Sequence, residues 1–294
     1  MTTVHPSRAV APAQLASDPV LGGLVGLIGD AHGDAGFLRG AATILAQRGC
    51  TSLVQLGNFG LIWSGTRAES RALDELNGTL AKLGLRLYVV LGSLENYDLI
   101  DALPRDASGT VQIFSHIDLL PRSGVVLAGN GGLADPVHAI GWLSGAASLD
   151  RSLRVPGRNW WPAELTTDAQ AQGLLSSPIG PDVVLAHEAL ATPGLLAYLG
   201  DGAGWDPSDL TYARTAQREH TERVLSVLDP GKETLTVSGR YHLRHSERTI
   251  LRRGTADGAT QPVPVRQEIL DRERTPGCFA VLDLRGPVPL LEAP

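Results

Sequence analysis

The chain has 294 residues, of which 43% are hydrophobic and 19% are charged, so it has enough apolar content to bury a sizeable core. Lys and Arg number 25 and Asp and Glu number 31, which gives a formal net charge of −6. That balance argues against general electrostatic binding of nucleic acid or of anionic membranes. The only two cysteines, Cys50 and Cys278, lack metal-ligand spacing and do not indicate a disulfide scaffold.

The first residues of the chain lack the features of a targeting segment. Residues 1–20 do not have a basic start followed by a long apolar run, so we expect a flexible leader there. The apolar stretch at 22–28 is too short to span a bilayer. We therefore expect a cytoplasmic protein in which residues 21–294 form one domain.

Three strand-like runs near the start of the chain each lead into a loop of small and polar residues. The runs cover 24–29, 52–56 and 86–91, and helix-like stretches at 36–48 and 67–83 separate them. This alternation predicts βαβ units with a largely parallel sheet. Because the carboxyl ends of parallel strands meet at one edge of a sheet, we expect the three loops to open on the same side.

The remainder of the chain has shorter predicted elements. Residues 150–165 are polar, basic and aromatic and are predicted to form a structured loop, and 208–228 are predicted to form a helix. Residues 129–132 read as a turn, and 253–260 as a hairpin turn or loose loop. Further strands are predicted at 125–128, 182–186, 235–237, 249–252 and 279–284.

Five strand-end loops carry side chains that can contact a metal ion or a phosphate group. Histidine and carboxylate side chains converging from strand ends could hold a divalent metal. A single such residue is more often structural, but the recurrence of the pattern after successive buried strands favours a shared site. In chain order these residues are Asp30 with His32, Asn58, Ser93 with Glu95, His187, and Arg240 with His242.

The order of these motifs resembles that of the calcineurin-like metallophosphoesterase family. The family pattern is D-x-H, then G-D, then G-N-H-E/D, then H, then G-H-x-H, and the similarity covers residues 24–245. The stretch GAASLDRSLRVPGRNWWPAEL is also similar to a bacterial and phage branch of that family. The resemblance implies a four-layer α/β/β/α sandwich in which loops at one edge of the paired sheets hold two metals that hydrolyse a phosphate ester.

The sequence departs from the family pattern at four positions. By the resemblance, position 58 would hold a bridging aspartate and position 93 an asparagine ligand, but this chain has Asn58 and Ser93 there. Likewise, position 94 would hold a catalytic histidine and position 240 a histidine ligand, but this chain has Leu94 and Arg240. Arginine cannot ligate a metal because its guanidinium stays protonated, and a leucine cannot donate a proton. We therefore do not expect two metals to clamp the attacking and leaving oxygens.

The residues that remain fit one metal better than two. We do not expect a full dinuclear centre, and the residue types do not distinguish Mn, Fe, Zn and Ni. His187, the remnant of the second site, and Arg240 are the candidate catalytic residues. By the resemblance, the ligands of the single divalent metal are Asp30, His32, Asn58 and His242.

Arg240 has two interpretations. The loss of a negative charge at Asn58 and the gain of a positive charge at Arg240 could be coordinated, with the guanidinium standing in for the second metal and binding a phosphate in bidentate geometry. Alternatively, Arg240 pairs only with a nearby carboxylate such as Glu188 or Glu95. The sequence leaves both open.

The loop at 150–165 also has two interpretations. Its arginines and Trp160 and Trp161 could grip a phosphate and stack on a base. Alternatively, the tryptophans anchor the loop to the core, which we favour, while the role of the arginines stays open. The candidate substrate-binding residues come from this loop and from the strand-end loops. They are Arg151 and Arg154 from this loop, and Asn58, Ser93 and Arg240 from the strand-end loops.

Three functional hypotheses follow from these residues. The first, which we favour, is a pseudoenzyme that binds a phosphorylated small molecule, a nucleotide or a protein partner. The second is a residual single-metal phosphoesterase that hydrolyses a phosphate mono- or diester, with Arg240 in place of the second metal. The third is a structural module whose pocket has no function. We expect neither general nucleic-acid binding nor membrane binding under any of them.

Overall fold

The computed structural model describes residues 19–130, 132 and 135–293. Residues 1–18, which make up most of the predicted leader, and Gly131 of the predicted turn at 129–132 lie outside the described residues. The strands are β1 (Leu24–Ile28), β2 (Ser52–Leu56), β3 (Arg86–Val90), β4 (Val111–Phe114), β5 (Ile117–Leu119), β6 (Ser123–Gly129), β7 (Val137–Leu143), β8 (Val183–Ala186), β9 (Thr234–Ser238), β10 (His245–Gly254), β11 (Thr260–Ile269), β12 (Phe279–Asp283) and β13 (Leu290–Glu292). The helices are α1 (Ala35–Gln47), α2 (Arg67–Leu83), α3 (Tyr97–Asp101), α4 (Asp168–Leu175), α5 (Pro193–Leu199) and α6 (Pro207–Val227).

The strands form two mixed sheets. The first has the order β13-β12-β1-β2-β3-β5-β4, and the second has the order β10-β11-β9-β8-β7-β6. Strands β1, β2 and β3 are parallel, as the alternation of the sequence predicts. Strands β7, β8 and β9 are also parallel to one another, so each sheet has a set of carboxyl-terminal ends at one edge.

The two sheets pack face to face, and helices cover their outer faces. Neighbouring residues of a strand point to opposite faces, so Leu53 packs with α1 and α2 whereas Val54 packs between the sheets. On the other side, Val184 of β8 packs with Leu174 of α4 and Val224 of α6. The order of layers is helix, sheet, sheet, helix, which confirms the predicted α/β/β/α sandwich.

The long helices begin and end where the sequence supplies capping groups. Helix α2 begins with a capping box in which Thr66 and Glu69 bond to each other's backbone, and it ends at Gly84, whose φ is 67°. Helix α6 begins at Asp206, which accepts hydrogen bonds from the backbone of the first turn, and Pro207 follows it. None of the helices in the described part of the chain has the length and apolar composition that a membrane crossing requires.

Two neighbouring strands of the second sheet differ from the prediction. The predicted strand at 249–252 is the centre of the longer β10, and within the predicted 253–260 loop residues 255–259 form the turn of a hairpin with β11. Strand β11 was not predicted, since Pro262 and Pro264 lack the N–H donor of a strand residue. Both prolines pair only with β10, because β9 pairs with β11 from Val265 onward.

Candidate metal centre

The five predicted loops meet at the edge where the two sheets adjoin. Two hydrogen bonds join loops of different sheets: the Arg240 backbone N–H donates to Oδ1 of Asp30 (2.7 Å), and Nδ1 of His187 donates to the Leu56 carbonyl (2.8 Å). The architecture thereby brings together residues that are far apart in sequence. After β1, β2, β3, β8 and β9, respectively, these are Asp30, Asn58, Ser93, His187 and Arg240.

Asp30, His32 and His242 form a cluster whose geometry suits a metal ion. Asp30 is fully buried, and its Oδ2 lies 3.5 Å from Nε2 of His32 and 3.3 Å from Nε2 of His242. The ligand atoms of the three residues all lie within 4.8 Å of one another. Ligands at about 2.1 Å from a tetrahedral ion are separated by roughly 3.4 Å, so the 3.5 and 3.3 Å distances from Asp30 to the two histidines match ligands of a single ion.

Glu273 fixes the orientation of His32. Its Oε2 lies 2.7 Å from Nδ1 of His32, and because a carboxylate only accepts, Nδ1 carries the proton. Nε2 of His32 then faces the carboxylate of Asp30 at 3.5 Å. A divalent ion between these two atoms would bind both of them, in the place that a proton takes in a simple ion pair. Glu273 was not predicted from the sequence. Its only signal there is that it is an acidic residue in the loop after β11.

The backbone of the site is strained at four residues. His32, Asn58, Arg240 and His242 have φ values of 43°, 54°, 75° and 51°, in the left-handed region that side chains rarely adopt. In the described part of the chain, Arg274 is the only other non-glycine residue with a positive φ. Such a conformation costs about 1–3 kcal/mol and clusters at functional sites. The strain therefore supports a functional role for these loops.

Asn58 connects Asp30 to the loop after β3. Its Nδ2 donates to Oδ2 of Asp30 (3.0 Å), and its Oδ1 accepts from the backbone N and the Oγ of Ser93 (3.0 and 3.2 Å). The opposite amide orientation would place oxygen against the carboxylate and nitrogen against an N–H. In the structure Asn58 thus directs its nitrogen, which is not a metal ligand, toward the cluster. Its predicted place among the ligands stays a prediction.

The surroundings of Asp30 keep this carboxyl ionised. Burial raises the pKa of Asp30, but the interaction with the His187 ring and the hydrogen bonds from His242 and from the Arg240 backbone outweigh burial, so the pKa lies below its ordinary value. The hydrogen bond to Asp30 in turn raises the pKa of His242. The cluster thus has a negative charge at its buried end, where a cation is needed.

His187 is buried and neutral. Burial lowers the pKa of His187 to about 4, and Nδ1 lies 3.8 Å from Oδ1 of Asp30. With its proton on Nδ1, the ring has a lone pair on Nε2, which is buried and has no hydrogen-bond partner among the described residues. An unpaired buried acceptor costs about 1–3 kcal/mol. His187 was predicted to be catalytic, and that role stays a prediction.

Arg240 forms an ion pair with Glu188. Its Nη1 lies 2.8 Å from Oε2 of Glu188, and both side chains are buried. The angle at this contact is not that of a hydrogen bond, so attraction between the charges holds the pair. Oη of Tyr241 donates to the other carboxylate oxygen of Glu188 at 2.7 Å. The structure therefore has the carboxylate pairing that the sequence left open, and the role of Arg240 toward a phosphate stays a prediction.

The basic and aromatic loop packs against the protein. Nε of Arg151 donates to Asp209 (3.2 Å), and Nε of Arg154 lies 2.7 Å from Asp150. Trp161 is buried, and its Nε1 donates to a carboxylate of α3 (2.8 Å), as expected of an anchor. Both predicted substrate-binding arginines are thus paired with acids, and their binding of a substrate stays a prediction.

Glu95 braces the loops after β2 and β3. Its carboxylate accepts hydrogen bonds from the backbone N–H groups of Phe59 (2.7 Å) and Gly92 (2.8 Å). Burial raises the pKa of Glu95 to about 7. Glu95 is therefore not the partner of Arg240, and it maintains the positions of Asn58 and Ser93.

Comparisons with known proteins give similarities in structure only. No family model and no curated protein matches the chain. Among solved structures, a dimetal phosphatase from Danio rerio is similar over 94% of this chain and 99% of its own, with 16% identity and a TM-score of 0.43. The protein TT1561 of Thermus thermophilus is similar over the same shares, with 11% identity and a TM-score of 0.45.

Proposed function

We propose that this protein binds one divalent metal ion through Asp30, His32 and His242 and holds a phosphate ester there, without two-metal hydrolysis. The observation that carries the proposal is the convergence of these three donors, with their ligand atoms within 4.8 Å of one another. The contact of Glu273 with Nδ1 of His32, which leaves Nε2 facing Asp30, supports it further.

The open side of the cluster leaves room for a ligand. When bound, a divalent ion acts as a Lewis acid that attracts a phosphoryl oxygen. Three protein ligands leave at least one coordination position unfilled. The side chain of His242 is 42% exposed and Ser93 is half-buried, so the cluster is accessible from solvent. The hydroxyl of Ser93 donates to Asn58 beside the cluster, and by rotating it can donate to a bound phosphate instead.

The position of a second metal is disfavoured by charge. The buried guanidinium of Arg240 is close enough to His187 to lower the pKa of that histidine, after the larger effect of burial. A dication bound to Nε2 of His187 would therefore meet a fixed positive charge. Asn58 contributes no negative charge to offset it, and Leu94 offers neither a ligand nor a proton. Binding without hydrolysis is the function that this arrangement favours.

A second candidate function is slow single-metal hydrolysis of a phosphate mono- or diester. The unpaired Nε2 of His187 favours it, because a neutral imidazole with a free lone pair can accept a proton from water. The pairing of Arg240 with Glu188 weighs against it, since the guanidinium charge is already compensated.

Calorimetric titration of the metal-free protein with Mn²⁺ and then with inorganic phosphate tests the proposal. We expect one Mn²⁺ per chain, phosphate binding only after metal is added, and no turnover of bis-p-nitrophenyl phosphate. His242→Ala should abolish both binding events. His245→Ala, a matched control whose side chain contacts Glu247 outside the cluster, should retain both. Absence of metal binding would refute the proposal, and turnover that Asp30→Ala abolishes would select the second candidate.

A further inference from the structure

A cavity of about 350 Å³ lies between the segment that follows β3, the loop between β5 and β6, and the first turn of α4. The apolar part of its wall consists of Leu91, Tyr97, Pro121 and Ala163. A dry apolar cavity of about 150 Å³ holds benzene. This cavity therefore has room for an aromatic ring together with a polar group attached to it.

Arg122 has a fixed position in the wall of this cavity. Its guanidinium lies over the ring of Tyr97, 4.4 Å from the ring centre, and its Nη2 donates to the carbonyls of Ala163 and Leu165. Nη1 of Arg122 is buried and makes no hydrogen bond with the described residues. The side chain is thus held from two sides, while one of its charged nitrogens has no acceptor.

The charge of Arg122 is not balanced by the residues around it. In the part of the chain that the structure describes, no carboxylate lies within ion-pair distance of its guanidinium. The other two charged residues of the wall, Asp101 and Arg105, pair with each other at 2.6 Å. Burial raises the pKa of the nearby Glu95 to about 7, so that carboxyl compensates Arg122 only in part. The wall of the cavity therefore has a net positive charge.

A single uncompensated guanidinium indicates the class of ligand. Guanidinium groups bind carboxylates and phosphates. A phosphate monoester has nearly two negative charges at pH 7, whereas a carboxylate has one, which matches the single charge of Arg122. A second, unmatched charge is costly to bury beside an apolar wall. The cavity thus suits a monocarboxylate whose remaining part is apolar.

We propose that this cavity binds a small monocarboxylate that has an aromatic ring. The charge of Arg122 attracts the carboxylate, and the ring packs against the apolar wall that includes Leu91 and Pro121. The wall contains none of the three residues of the metal cluster. The ligand site is therefore separate from the metal centre, and it does not depend on the proposed function.

The test compares benzoate with benzamide, its neutral counterpart of the same shape, by calorimetry on the full chain in EDTA. We expect benzoate to bind at least about 10-fold more tightly, because only benzoate supplies the negative charge that Arg122 lacks. Phenyl phosphate should bind more weakly than benzoate, since its second charge has no partner. His242→Ala should give the same affinities as the unaltered protein, because the metal cluster takes no part.

Three variants assign the binding to the cavity. Arg122→Met removes the charge at similar length and should abolish the preference for benzoate. Ala163→Leu fills part of the cavity and should weaken the binding of both ligands. Arg158→Met is the matched control and should change neither affinity, because Arg158 is exposed, has no carboxylate within ion-pair distance in the described part of the chain, and does not line the cavity. Urea unfolding shows whether each variant is folded.

Each contrary outcome identifies the step that is wrong. Equal affinities for benzoate and benzamide in the unaltered protein, or no binding of either, would overturn the proposal. Tighter binding of phenyl phosphate would overturn the choice of a carboxylate, and a preference retained in Arg122→Met would overturn the role of that charge. If Arg122→Met does not fold, an unchanged benzoate affinity in Ala163→Leu would overturn the cavity as the site. Loss of benzoate binding in His242→Ala would place the ligand at the metal cluster and overturn the proposal as well.

Discussion

Replacing Asn58 by aspartate perturbs the site at its most sensitive contact. Nδ2 of Asn58 donates to Oδ2 of Asp30 at 3.0 Å, so Asn58→Asp places two carboxylates in contact with nothing between them. Both groups are buried, so water screens their repulsion poorly. One of the two carboxyls must keep a proton unless a metal ion binds.

The size of the effect follows from the cost of that proton. Two charges 3.0 Å apart at an effective dielectric constant of 20 repel by about 5 kcal/mol, so protonation is the cheaper outcome. Holding a proton on an aspartate with an ordinary pKa near 3.9 costs about 4 kcal/mol at pH 7 and about 1.5 kcal/mol at pH 5. The pKa of the pair is raised in the folded state, so the loss of stability grows with pH above 3.9.

Urea unfolding of Asn58→Asp at pH 5 and pH 7, with EDTA or Mn²⁺, measures this effect. Relative to the unaltered protein, we expect the variant to lose about 2–3 kcal/mol more at pH 7 than at pH 5 in EDTA. Mn²⁺ should restore most of the loss, because the new carboxylate becomes a ligand. Asn77→Asp is a suitable control, since Oδ1 of Asn77 only accepts hydrogen bonds. An equal loss at both pH values, or no recovery with Mn²⁺, would refute the reasoning.

Three further predictions concern other contacts. Glu273→Ala should lower Mn²⁺ affinity by about 10–100-fold in a calorimetric titration because the His32 ring loses its orienting partner, and an unchanged affinity would rule out that role. Gly239→Ala should weaken Mn²⁺ binding at least about 10-fold, because the new Cβ overlaps Oδ1 of Asp30, whereas Gly40→Ala, whose Cβ meets nothing within 4 Å, should leave it unchanged. Burial lowers the pKa of His220 to about 3, so the unfolded chain takes up a proton below pH 6.5 that the folded chain does not bind. Between pH 6.5 and pH 4, the free energy of unfolding of His220→Leu, measured in urea, should therefore fall by about 3 kcal/mol less than that of the unaltered protein. The same pH dependence in both proteins would contradict this.

The parts of the fold that follow local rules could be predicted from the sequence. The parallel strands β1 to β3 have buried apolar runs, and α2 has a capping box and a C-terminal glycine. Strand β11 could not be predicted, because its prolines are tolerated only through one-sided pairing with β10. That pairing is a tertiary feature without a local signal.

The candidate site could be predicted as far as the loops that form it. Asp30, His32 and His242, three of the four predicted ligands, lie together because each follows a strand whose carboxyl end is at the shared edge. The orientation of the Asn58 amide, and the pairing of Arg240 with Glu188 rather than Glu95, depend on contacts between side chains distant in sequence. Glu273 lies outside every recognisable motif and reaches His32 only through the packing of the final loops.

The metal content of the protein, measured by elemental analysis after saturation with Mn²⁺ and removal of free ion, tests the central claim most directly. We predict one Mn²⁺ per chain in the unaltered protein and in His245→Ala, and none in His242→Ala. Two ions per chain would contradict the claim that the charge of Arg240 excludes a second metal. A protein without any bound ion would contradict the proposal that Asp30, His32 and His242 form a metal centre.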